Sequence, residues 1–175
     1  MRKIFLLLAV VGITGLMGCE GPQGPPGPPG SPGYNVESEV FELLNVDFGY
    51  NAEDGYNIYQ TLDPPILDSD VILIYRLSGT INPQTPIWQL IPRTLYLPQG
   101  ELDYDFDFSA VDFMIYAGGT YNLAQTPSYI QNQTFRIVII PGYFSKSMAT
   151  VDLNNYDEVI KAFKIDDSNV KILNK

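Results

Sequence analysis

The sequence predicts a mainly β protein, an antiparallel β-sandwich with one C-terminal helix, preceded by a signal peptide and a collagen-like stalk. Three observations lead to this prediction. Short β-branched and aromatic runs recur between turn signals throughout residues 34–175. One late segment alone has clear helical periodicity. Residues 1–33 combine an apolar leader with a glycine–proline repeat. A β-barrel is the main alternative architecture for residues 34–175.

Composition supports one packed domain and excludes several classes of function. Of the 175 residues, 45% are hydrophobic and 17% are charged, which is enough apolar material for a core. The net charge is -10, and removal of Arg2 and Lys3 leaves 8 basic and 20 acidic residues, or -12. Such a chain is not expected to bind nucleic acid. Because the chain has no histidine and one cysteine, we expect no internal disulfide, none of the usual zinc sites and no cofactor.

Residues 1–18 have the pattern of a signal peptide. A basic start is followed by an apolar run at residues 4–13, which is too short to cross a bilayer. Residues 16–19 (LMGC) resemble the lipobox of bacterial lipoproteins. That resemblance implies cleavage before Cys19, acylation of Cys19, and a lipid-anchored location in the cell envelope, with the outer membrane as the expected site. A plain signal peptide with an incidental cysteine is the alternative.

Residues 19–33 join this cysteine to the domain through glycines at every third position. The glycines are Gly21, Gly24, Gly27, Gly30 and Gly33. Only glycine fits at the axis of a collagen triple helix, and proline favours the polyproline II backbone. Because the run is only four triplets long, we expect a semi-rigid stalk rather than a stable triple helix. A homotrimer formed through this run is the alternative.

Three later segments give the strongest strand signals. Residues 71–77 (VILIYRL) and 134–140 (TFRIVII) are β-branched and aromatic, as buried strands are. Residues 102–108 (LDYDFDF) alternate, so the apolar side chains face one way and the aspartates the other. Residues 111–116 are predicted as a further strand, and a turn at residues 98–100 joins residues 94–97 to the aspartate strand. Weaker strand signals lie at residues 40–48, 57–62, 87–91 and 143–149, and residues 170–173 are a candidate last strand. Gly118 and Gly119 predict a tight hairpin between residues 111–116 and 120–123.

A single helix is predicted after Asn155. Four apolar residues have the i, i+3, i+4, i+7 spacing of one helix face: Tyr156, Val159, Ile160 and Phe163. Asn155 is the predicted N-cap, and Glu158 is its predicted capping-box partner. We expect this helix to pack on an end or an open face of the sandwich.

The order of these segments resembles that of the collagen-like lipoproteins of the Bacteroidetes. The likeness lies in the lipobox, the few glycine triplets and a β-rich domain with the stretches SDVILIYRL, WQLIPRTLYL, LDYDFDFSAVDFMIY, QNQTFRIVIIPG and NNYDEVIKAF. It covers most of the mature chain. It implies an anchored envelope protein but provides no catalytic motif.

Tyrosines near an acidic loop are the main candidates for a ligand surface. Tyr50, Tyr56 and Tyr59 flank residues 51–55 (NAEDG), and exposed tyrosines form rigid amphipathic surfaces for sugars or proteins. The alternative is that most aromatic residues fill the core. We expect Trp88, which has apolar neighbours, to belong to the core.

The aspartates of residues 102–108 are weak candidates for a calcium site. Asp103, Asp105 and Asp107 have the D-x-D-x-D spacing that opens an EF-hand loop. The glycine and glutamate that such a loop needs are replaced by Phe108 and Met114, so the EF-hand interpretation fails. Solvated aspartates on an exposed strand face are the simpler interpretation, and we predict no metal.

The sequence favours a non-catalytic binding or adhesion module for glycan or protein. It contains no G-x-S-x-G, G-x-x-x-x-G-K or H-E-x-x-H motif. Two alternatives stay open. One is a structural envelope component that trimerises through the glycine run. The other, less favoured, is a hydrolase with a pair of acidic residues in a cleft.

Overall fold

The computed structural model describes residues 38–173. The predicted signal peptide, Cys19, the glycine run and the predicted domain start at residue 34 lie outside the described residues. The described chain is mainly β, as predicted. Its ten strands are β1 Glu39–Val46, β2 Gly49–Asn51, β3 Gly55–Thr61, β4 Val71–Asn82, β5 Thr85–Ile91, β6 Arg93–Leu97, β7 Gly100–Phe108, β8 Asp112–Gly119, β9 Gln133–Ile140 and β10 Lys171–Ile172.

The strands form two five-stranded sheets. Sheet A has the order β10-β1-β9-β4-β5, and sheet B has the order β2-β3-β8-β7-β6. Both sheets end in free edge strands, so the described residues do not close into a barrel. All neighbouring strands are antiparallel except β10 and β1, which pair in parallel at Phe41–Lys171 and Glu42–Ile172. This edge pair departs from the antiparallel prediction because β10 pairs on the far side of β1 from β9 and runs in the direction opposite to β9, which is the direction of β1.

The main core lies between the two sheets. Sheet A contributes side chains such as Leu43, Ile74 and Phe135, and sheet B contributes Tyr104 and Ile115, all of them 0–1% exposed. The strict alternation predicted for β7 is present, with its aspartates exposed and its first two apolar residues buried. Its last residue, Phe108, is 41% exposed because it lies at the open end of the strand.

A second apolar cluster covers the outer face of sheet A. Two short helices follow β9: α1 Ser145–Met148 and α2 Tyr156–Ala162. Val159 and Phe163 pack with Tyr75 and Val138 of the sheet, which confirms that the late helix lies on an open sheet face. Trp88 is only partly buried and packs at the border of this second cluster rather than in the main core.

The predicted N-cap of α2 is confirmed, but the capping box is not. Asn155 Oδ1 accepts a hydrogen bond from the backbone N–H of Glu158 at 3.2 Å. The Glu158 carboxylate instead accepts from the backbone N–H of Asp152 at 3.1 Å. The backbone N–H of Asn155 donates to the Asp152 carbonyl, so the usual donor for a capping-box glutamate is already used.

Arg136 ties α2 and the segment after it to sheet A. Its Nε donates to Glu42 at 3.1 Å, and its Nη1 donates to Asp167 at 3.2 Å and to the Tyr156 hydroxyl at 2.7 Å. Its guanidinium carbon also lies 4.5 Å from the ring centroid of Trp88, which is a cation–π contact. Arg136 is therefore the polar centre of the second cluster.

Two local predictions are wrong. Residues 143–149, predicted as a strand, are helical, with a 3-10 turn at Gly142–Phe144 leading into α1. The pair Gly118–Gly119 makes no hairpin, because β8 continues through both residues and pairs with β7. Residues 120–123 then form no strand and lead into the 3-10 helix Leu123–Gln125.

No helix in residues 38–173 is long and apolar enough to cross a membrane.

Candidate functional site

Within residues 38–173, no helix covers the outer face of sheet B, whereas α2 packs on the outer face of sheet A. Strand register brings side chains from four strands onto this face, because residues two apart on a strand share a face and paired residues lie side by side. Tyrosines and carboxylates dominate it, and we call it the tyrosine–carboxylate face. Its members are Tyr59, Tyr96, Glu101, Asp103, Asp105, Asp107, Asp112, Met114 and Tyr116.

Two tyrosine hydroxyls on this face are held by carboxylates from neighbouring strands. Tyr59 donates to Asp112 at 3.0 Å, and Tyr116 donates to Asp107 at 2.8 Å. Asp112 also accepts from the hydroxyl of Ser109. Each bond joins a phenol to an adjacent strand, so both rings have fixed positions on the sheet surface.

The same bonds shift the titration of both phenols. The hydrogen bond to Asp107, burial and nearby carboxylates raise the pKa of Tyr116 to about 12. The hydrogen bond to Asp112 is the largest cause that raises the pKa of Tyr59 above its usual value. Both effects arise because a carboxylate stabilises the protonated phenol that donates to it and opposes the phenolate.

Replacing Asp107 by asparagine is expected to lower the pKa of Tyr116 from about 12 toward the ordinary value of about 10. Because the folded pKa lies above the unfolded one, the bond adds stability below about pH 10 and loses it as pH rises toward 12. An NMR titration of the Tyr116 ring carbon that bears the hydroxyl measures this pKa. Asp68→Asn, in an exposed loop, is the control. An unchanged Tyr116 pKa in the Asp107 variant would contradict the bond.

The side chain of Asp103 on β7 lies over β8, because the residue paired with it there is a glycine. In the register of β7 and β8, Asp103 pairs with Gly118. A Cβ atom at residue 118 would lie 2.7 Å from Asp103 Oδ2, so any larger residue would displace this carboxylate. Gly118 therefore shapes the face rather than a turn.

The structure separates the three tyrosines that the sequence grouped. Tyr50 and Tyr56 pair across β2 and β3, with ring centroids 5.1 Å apart in an edge-on arrangement, and Tyr50 is 70% exposed. Tyr59 lies on the opposite face of β3, since it is three residues from Tyr56. Of these tyrosines, only Tyr59 belongs to the tyrosine–carboxylate face.

The acidic loop between β2 and β3 is a turn closed by the side chain of Asn51. Asn51 Oδ1 accepts from the backbone N–H groups of Glu53 at 2.9 Å and Asp54 at 2.6 Å. Gly55 then takes a positive φ of 69°, which glycine adopts without steric cost. The carbonyl oxygen of the Asn51 side chain is therefore used inside the turn.

The aspartates of β7 lie on the exposed side of the strand, two residues apart. Asp103, Asp105 and Asp107 are all exposed, and within residues 38–173 no group of three acidic, histidine or cysteine residues is placed to hold a metal ion. Their carboxylates instead face tyrosines and solvent.

All the charged side chains of the tyrosine–carboxylate face are negative. Its strand positions hold five carboxylates and, in the described strands of sheet B, no lysine or arginine side chain shares them. The site can therefore accept hydrogen bonds from hydroxyl or ammonium groups and present phenol rings beside them, while it repels anions.

Sequence reasoning missed five members of this face: Tyr96, Glu101, Asp112, Met114 and Tyr116. Residues 94–97 and 111–116 were predicted as strands, so alternation along them could have separated inner from outer positions. The pairing of β8 between β3 and β7 carries no comparable local signal, and it is this pairing that brings Tyr59, Asp107 and Tyr116 together.

Comparison of the chain with protein-family models, with curated proteins and with solved structures finds no match in any of the three.

Proposed function

We propose that the protein is an anchored, non-catalytic module that binds a glycan of neutral sugars on the tyrosine–carboxylate face. One observation carries the proposal: phenol rings with hydrogen-bonded hydroxyls lie beside carboxylates on the sheet face that no helix of residues 38–173 covers. The other sheet face is used for packing against α2. The open face is thus the surface of the sandwich with the chemistry for a ligand.

The chemistry of the face suits a sugar chain better than a small molecule. Phenol rings offer flat apolar surfaces for the C–H faces of pyranose rings. Exposed carboxylates such as Asp105 accept hydrogen bonds from sugar hydroxyls, and bonds to charged acceptors are the stronger ones. An open sheet surface can follow several sugar units in a row. The five carboxylates disfavour uronate or sialylated chains by like-charge repulsion.

The location belongs to the same proposal. A lipid on Cys19 would hold the chain at the outer membrane, and the run Gly21–Gly33 would act as a stalk that separates the domain from the bilayer. The order of basic start, apolar run and lipobox supports the anchor. The shortness of the glycine run supports a stalk over a triple helix.

Binding of the full chain to neutral and acidic polysaccharides tests the function. Affinity electrophoresis in gels that contain β-glucan, mannan or xylan is expected to retard the protein, and polygalacturonate is expected not to. Tyr116→Ala and Tyr59→Ala should each weaken binding at least about tenfold, or about 1.4 kcal/mol. Tyr143→Ala is the matched control, because Tyr143 is 63% exposed but lies after β9, away from sheet B.

Several outcomes would overturn this proposal. Binding that survives both sheet B substitutions would place the ligand elsewhere. Selective retardation by basic proteins rather than polysaccharides would assign the face to a protein partner. Release of new reducing ends that stops in Asp107→Asn would indicate an acid-pair hydrolase instead.

A further inference from the structure

A cleft of about 460 Å³ lies at the start of β1, on sheet A and away from the proposed glycan surface. It is lined by Ser38 and the first residues of β1, which we call its floor, and by Asp63 and Pro64. Residues between α2 and β10, among them Lys164, and Lys171 at the start of β10 also line the cleft. This volume is in the range of sites for small molecules.

The segment after α2 is held against β1 by its own pairing. Lys171 pairs in parallel with Phe41, and the backbone N–H of Leu173 donates to the Glu42 carbonyl at 2.9 Å. The Lys171 ammonium lies 5.7 Å from the ring centroid of Phe41, so it stays close to the apolar floor of the cleft. The position of Lys171 beside the cleft is therefore set by the sheet.

Lys164 holds a backbone position that glycine usually occupies. Its φ is +55°, and it stands in a Schellman motif, with its own N–H bonded to Lys161 O at 3.4 Å and Ile165 N–H bonded to Ile160 O at 2.9 Å. A lysine in this left-handed conformation costs about 1 kcal/mol relative to glycine. The chain nevertheless places an ammonium group at the rim of the cleft.

Acidic and neutral polar groups line the same cleft. Asp63, Asp166 and Glu39 contribute carboxylates beside the two lysines. Asp166 is held in place by Ser168, which donates from its backbone N–H at 3.0 Å and from its hydroxyl at 2.6 Å. The Ser38 hydroxyl is buried and has no hydrogen-bond partner among residues 38–173. A buried hydroxyl without a partner is unfavourable unless a ligand or solvent satisfies it.

We propose that this cleft binds a small zwitterion, a molecule that carries an anionic group and an ammonium group a few ångströms apart. The anionic group lies near Lys164, Lys171 and the Ser38 hydroxyl. The ammonium group lies near the carboxylates of Asp63 and Asp166. The short linker between them rests on the apolar side chains of the floor.

Charge favours a zwitterion over either half alone. A simple anion is repelled by a chain of net charge -10, and a simple cation is repelled by the two ammonium groups of the cleft. A molecule with both groups pairs with both kinds of side chain. A free metabolite and the head group of a zwitterionic lipid share this chemistry.

Calorimetric titration of the full chain with phosphoethanolamine tests the site. Binding is expected, with inorganic phosphate alone and ethanolamine alone at least about tenfold weaker. Lys171→Gln and Asp63→Asn should each weaken binding of phosphoethanolamine at least about tenfold. Lys146→Gln on α1 and Asp157→Asn on α2 are charge-matched controls outside the cleft, and they should bind as the parent does.

A substitution at the second lysine of the cleft guards against a variant that fails to fold. Lys164→Gln keeps the backbone position and removes the charge, and it should also weaken binding. Vesicles of equal parts phosphatidylcholine and phosphatidylethanolamine distinguish the two sources. Vesicle binding that free phosphoethanolamine displaces assigns a lipid head group, and its absence assigns a free zwitterion. Equal affinity for phosphate alone, no heat with phosphoethanolamine, or unchanged binding in the cleft variants would each overturn the proposal.

Discussion

Arg136→Met is expected to lower the free energy of unfolding by about 2–3 kcal/mol. The substitution keeps an apolar stem beside Trp88 but removes the cation that Glu42 and Asp167 share. The Glu42 side chain is only 17% exposed, so its carboxylate would remain partly desolvated without its partner. Urea denaturation measures the change. Lys161→Met, an exposed lysine on α2, should change stability by less than about 0.5 kcal/mol.

A double substitution separates the ion pair from simple packing. Glu42→Gln added to Arg136→Met removes the uncompensated charge, so it should recover part of the lost stability. If the double variant is less stable than the single one by the full effect of Glu42→Gln alone, the two side chains are not coupled. A loss below about 0.5 kcal/mol in Arg136→Met would contradict the central role of this arginine.

Gly119→Ala is expected to destabilise the protein by about 2–3 kcal/mol. A Cβ atom at residue 119 would lie 2.6 Å from the backbone oxygen of Glu101 and 2.9 Å from a methyl carbon of Leu123. The Glu101 oxygen cannot move away easily, because it accepts the backbone N–H of Thr120 at 2.9 Å. Thermal denaturation measures the effect as a lower Tm.

Gly79→Ala is the matched control for this strand glycine. No atom lies within 4 Å of a Cβ placed at residue 79, and its φ is not in the left-handed region. Alanine there should therefore be neutral or slightly stabilising. Equal losses at both positions would mean that general strand flexibility, rather than the close approach of β7 and β8 at Gly119, explains the change.

Local sequence signals predicted most of the strands. They failed where contacts between distant segments determine whether a residue lies in a strand or in a turn. The alternation of β7 and the apolar runs of β4 and β9 are properties of single segments, and each was visible in the sequence. The pair Gly118–Gly119 predicts a turn, but both glycines lie in β8. A side chain at either position would collide with Asp103 or Glu101 of the neighbouring strand, β7. The sequence carries no local sign of which strand will be that neighbour.

The candidate site was predicted only in part, for a similar reason. Alternation along β3 already separates Tyr56 from Tyr59, and this could have been applied to the sequence. The hydrogen bonds from Tyr59 to Asp112 and from Tyr116 to Asp107 form only because β8 lies between β3 and β7. That α2 would cover sheet A, and leave sheet B open, depends on packing between segments far apart in the chain.

The position of β1 has a mechanical consequence. This first strand lies between β9 and β10, so it is bonded along both sides near its start. A force along the axis of β1 acts across its hydrogen bonds to β9 and β10 and loads them together in shear. Bonds loaded in this way must break at once, whereas an edge strand pulled sideways would lose them one after another. Sheet A should therefore resist a force along β1 better than a force that peels an edge strand from it.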